Sequence, residues 1–130
     1  MTLPPATVLI VDDQPTTLEQ WRSSFEEQGT KVIAVNSGRK ALEVCENILP
    51  DLILSDLDMP KMDGFELLKR LKSNSVTENI PVCICSGTRD VASKYLCLTL
   101  GAIAYLQKPL VMSDLMAALD SEAKFLPIVA

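Results

Sequence analysis

Apolar residues in this chain follow two rhythms that alternate: short continuous runs, and longer stretches spaced three or four apart. The runs at 8–11, 52–55, 81–85 and 103–106 are closed by turn-forming or charged residues and predict strands, the one at 52–55 buried on both faces. A fifth run, Lys31–Val35, alternates less cleanly and is expected at a sheet edge. Between the runs lie helical patterns. Leu18, Trp21, Phe25 and Gln28 follow Pro15, whose fixed φ suits a first helical turn, and Gly29 closes that stretch. Ser37 is placed to cap a helix over about residues 38–47, with Ala41, Leu42, Val44, Cys45 and Ile48 on its apolar side. Phe65, Leu68 and Leu71, widened by Leu67, form a third stripe, with Glu66, Lys69, Arg70 and Lys72 on the wet side. Val91, Tyr95 and Leu98 mark a fourth helix, stopped by Gly101. Leu115, Met116, Ala118 and Leu119 mark a fifth, which Ser113 is placed to cap.

Five strands alternating with five helices is the pattern of an α/β fold, a parallel sheet covered by helices on both faces. Right-handed crossovers then bring every strand's carboxyl end to one rim. With 130 residues the chain is expected to be one domain, its core spanning about 6–124, without repeat or linker. The last residues, 125–130, are apolar and are read as a tail that docks back or leads into a further domain.

Composition narrows the chemistry. The net charge is -5 and no basic cluster exceeds a pair, so a nucleic-acid footprint is not expected in this chain. No run is long enough to span a bilayer, and residues 1–6 lack a signal-peptide pattern, so a cytoplasmic protein is expected. There is no histidine, which excludes an imidazole base or nucleophile from this chain. Cys45, Cys83, Cys85 and Cys97 lack metal-binding spacing and read as reduced core thiols.

The polar residues that end the strands are the informative ones. A lone aspartate after a strand usually caps a turn. Here Asp12 and Asp13, Asp56, Ser86 and Lys108 all fall at strand ends that share one rim, where α/β sheets bind ligands. Two carboxylates about 4 Å apart repel by roughly 4 kcal/mol at an effective dielectric near 20, so three together call for a cation. Oxygen ligands and a nearby phosphate suit Mg²⁺, and Lys108 suits an incoming anion.

Those residues, with Met59-Pro60, Met62-Asp63-Gly64, Ser86-Gly87, Gly101-Ala102, Tyr105 and Lys108-Pro109, carry a resemblance. From about residue 6 to 124 the chain resembles a two-component response regulator receiver domain, similar to the single-domain chemotaxis regulators. The resemblance implies a doubly wound, flavodoxin-like (βα)5 fold with strand order 2-1-3-4-5. It implies that Asp56 is the phosphoacceptor, taking a phosphoryl group from a phosphohistidine on a sensor histidine kinase or phosphotransfer protein. Mg²⁺ would be held by Asp13, Asp56 and the backbone carbonyl of Asp58, with Asp12 in its outer shell. Lys108 and Ser86 would hold phosphoryl oxygens, Ser86 and Tyr105 would form the switch, and the Lys108-Pro109 bond would be cis.

On this resemblance the chain is a signalling domain rather than an enzyme. Its output would pass to a downstream protein or a fused output domain through a face built from the fourth helix, the fifth strand and the last helix. Leu96 and Leu100 fall off the Val91 stripe, and that extra apolar side is expected to be a partner or homodimer surface. Two alternatives stay open: a receiver-shaped interaction module that takes no phosphate, and a haloacid dehalogenase-like phosphatase, whose D-x-D motif Asp56-Leu57-Asp58 superficially matches.

Overall fold

The apolar runs become strands of one sheet whose two faces are covered by helices, the run at 103–106 at an edge and the other three in the middle. The computed structural model describes residues 3–129, with side chains as far as residue 120. Its elements are β1 (Thr7–Val11), α1 (Pro15–Glu26), β2 (Lys31–Val35), α2 (Gly38–Cys45), β3 (Leu52–Asp56), α3 (Gly64–Lys72), β4 (Val82–Ser86), α4 (Val91–Thr99), β5 (Ala104–Gln107) and α5 (Met112–Val129). The five strands pair in parallel in the order β2-β1-β3-β4-β5, which is the expected fold and leaves β2 at an edge.

Successive residues of a strand point to opposite faces, and the core divides accordingly. Leu9, Val11, Ile53, Val82 and Ile84 pack with Ala41 of α2, Leu67, Leu68 and Leu71 of α3 and Cys97 of α4. Val8, Ile10, Leu52, Leu54, Cys83 and Cys85 pack with Trp21 and Phe25 of α1 and Leu115 of α5. Each fully buried large side chain contributes about 1.5–3 kcal/mol, so this two-sided core dominates stability. All four cysteines are free and buried.

Local sequence sets the helix starts. Pro15 is the first residue of α1, Ser37 Oγ accepts from Lys40 N at 3.2 Å, and Asp63 Oδ1 accepts from Glu66 N at 2.9 Å. Gly29 and Gly101, at φ 83° and 111°, end α1 and α4 in a backbone region that side chains disfavour.

Three expectations are corrected. The Val91, Tyr95 and Leu98 stripe faces solvent, at 77%, 72% and 40% exposure, while Cys97 is buried and Leu100 packs on the core. This helix is apolar around most of its circumference, so periodicity left its phase undetermined. Leu96, at 44% exposure, joins the exposed side. Ser113 is not the cap of α5: the helix begins at Met112, with Asp114 N and Leu115 N both donating to Val111 O. Helix α2 stops at Cys45, which leaves Ile48 beyond it and 46% exposed. Docking of the apolar stretch at 125–130 lies outside the described side chains.

Candidate functional site

Parallel strands place their carboxyl ends together, and the acids expected there do meet. Asp12, just past β1, is fully buried; Asp56, the last residue of β3, is 4% exposed; Asp13 is half-buried. Carboxylate oxygens of the three lie within 4.8 Å of one another. At that spacing each pair of full charges repels by about 3.5 kcal/mol at an effective dielectric near 20.

Lys108 relieves part of this. Its Nζ donates to Asp12 Oδ2 at 2.7 Å and lies 3.1 Å from Asp56 Oδ1. Three carboxylates and one ammonium leave a formal charge of -3 + 1 = -2 on these four groups. The second Asp12 oxygen accepts from Gln14 N at 2.8 Å, in the turn that leads into α1. Asp12 is thus fixed by its own turn and by the lysine.

Burial pushes the Asp56 carboxyl above its ordinary range, the Asp12 charge adds to this, and Lys108 opposes it. Burial alone would lower Lys108, but the hydrogen bond to Asp12 and the Asp56 charge outweigh it and hold the ammonium charged. Cys85, paired in register with Asp56, has its thiol pushed up to about 12, first by burial.

The Asp56 peptide is also held. Its carbonyl accepts from Ser55 Oγ at 2.9 Å, and Gly64 N donates to the next carbonyl, Leu57 O, at 2.7 Å. A Cβ on Gly64 would sit 2.6 Å from Asp56 O and 2.8 Å from Leu57 Cα, so only glycine allows α3 to start so close to the acid. Asp58 is exposed and its carboxylate is not in the acid cluster.

Ser86 ends β4 fully buried, its Oγ accepting from Thr88 N at 3.2 Å. Its carbonyl accepts from Lys108 N at 2.8 Å, which ties the ends of β4 and β5 together. Tyr105 on β5 is half-buried and its hydroxyl donates to Thr88 O at 3.2 Å. Ser86 and Tyr105 therefore converge on one residue, Thr88, which sequence reasoning did not single out. The Lys108-Pro109 bond is cis.

Another residue was missed in its role: Trp21, read in the sequence only as one position of a helical stripe, lies with its ring under Lys108 Nζ, 5.6 Å from the centroid. The donor set around Asp12, Asp13 and Asp56 is all oxygen, doubly negative after Lys108, and open at Asp13. Those properties fit a hard divalent cation that keeps some of its water, as Mg²⁺ does. Among the described residues no helix is long and apolar enough to cross a membrane.

Residues 8–120 match the family model of the response regulator receiver domain. A probable cyclic di-GMP phosphodiesterase of Vibrio cholerae is 37% identical over 107 residues, 79% of this chain and 23% of that protein. Response regulator MprA of Mycolicibacterium vanbaalenii is 31% identical over 113 residues, 87% of this chain and 48% of that protein. The chain thus spans less than half of either relative. A crystal structure of a putative response regulator from Chloroflexus aurantiacus superposes with a TM-score of 0.83 at 31% identity, covering 90% of this chain and 96% of that one.

Proposed function

The chain belongs to the response regulator receiver domain family, and from that premise we propose that Asp56 accepts a phosphoryl group from a phosphohistidine of a partner kinase or phosphotransfer protein. The observation that carries this reading is the Lys108 ammonium held between Asp12 and Asp56 beside a third carboxylate. In the transfer, an Asp56 oxygen forms the new bond to phosphorus as the phosphorus–nitrogen bond breaks. The electron pair leaves with the donor imidazole, which takes a proton from water.

Phosphoryl transfer depends on alignment and on neutralising the equatorial oxygens. Lys108 holds one of those oxygens and the Ser86 hydroxyl donates to another. Asp13 and Asp56, with the Asp58 backbone carbonyl, would hold Mg²⁺, and Asp12 would support it indirectly. When bound, Mg²⁺ supplies the positive charge that lets phosphate approach three acids.

The reading extends to a switch. Ser86 turns toward the phosphoryl group, and Tyr105, which shares Thr88 with it, follows. The change is then read at the face of α4, β5 and α5 by a downstream protein, a fused output domain or a second copy of the chain. The exposed Val91, Tyr95, Leu96 and Leu98 support that surface. On the same footing the chain works in the cytoplasm, as a signalling domain and not a metabolic enzyme.

The test is to incubate the chain with Mg²⁺ and acetyl phosphate and measure intact mass. The parent gains one phosphoryl group and Asp56→Asn gains none. A parent that never gains mass is an interaction module of receiver shape.

A further inference from the structure

Trp21 is the chain's one tryptophan. It is 2% exposed and shares a buried cluster with Phe25, Cys85, Ala104 and Leu115. Packing alone would be met there by an aliphatic side chain. The indole does something more, because its ring lies under the Lys108 ammonium at 5.6 Å from the centroid, inside the range of a cation–π contact.

An ammonium carries three N–H donors. Asp12 Oδ2 and Asp56 Oδ1, at 2.7 Å and 3.1 Å, engage the ammonium of a side chain that is only 24% exposed. An aliphatic wall at position 21 would deprive the charge of water and return nothing. The negative face of an indole compensates the charge electrostatically and uses no N–H. It therefore restrains Lys108 from below while leaving a donor for an anion arriving at the rim.

Resting on the phosphoacceptor reading of Asp56, we propose that Trp21 is a positioning residue for phosphoryl transfer: its ring face holds the Lys108 ammonium where a spare N–H can meet a phosphoryl oxygen. Trp21 does not touch the reacting atoms and acts through Lys108.

Two measurements test this. Trp21 alone supplies the tryptophan emission, so Lys108→Met, which removes the charge over the ring and keeps a stem of similar bulk, is expected to shift or rescale that emission in the folded chain. Identical spectra would overturn the contact. The second measurement is the rate of phosphorylation by acetyl phosphate. Trp21→Leu is expected to slow it about three- to tenfold, the size of a partly desolvated cation–π contact. Trp21→Phe, which keeps a ring, is expected to restore most of the rate, and Trp21→Leu to add no further loss in a Lys108→Met background. An equal loss with and without Lys108 would assign Trp21 to packing and overturn the proposal. If Trp21→Leu does not fold, the Trp21→Phe rate in the two Lys108 backgrounds and the emission decide. A parent that takes no phosphoryl group defeats the phosphoacceptor reading instead, and the emission still decides whether ring and ammonium are in contact.

Discussion

The Lys108 ammonium and the Asp56 carboxylate stand 3.1 Å apart, although β4 lies between the strands that lead to them. The lysine reaches back over the end of β4, so the pair is made by the rim rather than by strand pairing. It is also incomplete compensation, since Lys108 divides one charge between Asp56 and Asp12.

This imbalance sets a pH dependence. Burial, reinforced by Asp12, raises the Asp56 carboxyl above 3.8 against the opposing pull of Lys108. A carboxyl raised by folding adds stability below its unfolded pKa and loses it as pH rises through the folded one. Asp56→Asn, neutral throughout, is therefore expected to melt higher than the parent near pH 7, with the gap closing as pH falls toward 3.8. Thermal scans in chelator at several pH values measure this. A variant that melts lower at pH 7 would show the ion pair outweighing burial.

Divalent metal should act on the same charge. At a tenfold excess of Mg²⁺ over its Kd, folding gains about 1.4 kcal/mol by mass action. Melting in Mg²⁺ and in chelator is expected to differ in the parent and to differ far less in Asp13→Asn. Coincident curves for the parent would argue against a metal site at this cluster.

Gly64 is a steric prediction. Its Cβ would meet main-chain atoms at 2.6 Å and 2.8 Å, neither of which can rotate away. Gly64→Ala is expected to cost about 2–4 kcal/mol in urea unfolding and to slow phosphorylation of Asp56. A loss below about 0.5 kcal/mol would mean that α3 shifts freely.

The orientation of α4 can be checked by contrast. Tyr95→Asp, on a side chain 72% exposed, should leave stability within about 0.5 kcal/mol of the parent. Cys97→Asp puts a charge in a fully buried position and should cost several kcal/mol or prevent folding. The opposite ranking in denaturant midpoints would restore the Val91 stripe as the core side.

The thiols should be silent. Burial holds Cys85 at about 12 and Cys97 at about 11, and neither has exposed surface. Thiol reagents at pH 8 are expected to label them only after denaturation, since thiolate and access are both lacking. Rapid native labelling of either would mean that the adjoining strand or helix opens.

The sheet and its acids were legible because they break a local rule. An apolar run such as 52–55 that ends in Asp56 carries a charge where burial penalises it, and that conflict is visible in a few adjacent residues. The partnership of Trp21 with Lys108 is not visible, because 87 positions separate them (108 - 21) and no periodicity connects a helix interior to a strand end. The phase of α4 was hidden by an excess of apolar residues rather than by a lack of them. The start of α5 at Met112 depends on the Val111 carbonyl, which no side-chain pattern announces. Gly64 could be read as a loop residue, but the main chain it must clear could not.

Burial is uneven across the sheet. β3 and β4 are buried at every position, whereas β5 ends exposed and α4 buries only Cys97. Local opening free energy follows buried contact, so amide hydrogen exchange should be slowest in β3 and β4 and fastest along α4 and in the edge strands β2 and β5. The molecule is stiff behind Asp56 and soft beside Tyr105. Softness is greatest at the two edges of the sheet, and of these it is the β5 edge, packed beside α4, that carries Tyr105 and leads to Lys108 at the rim.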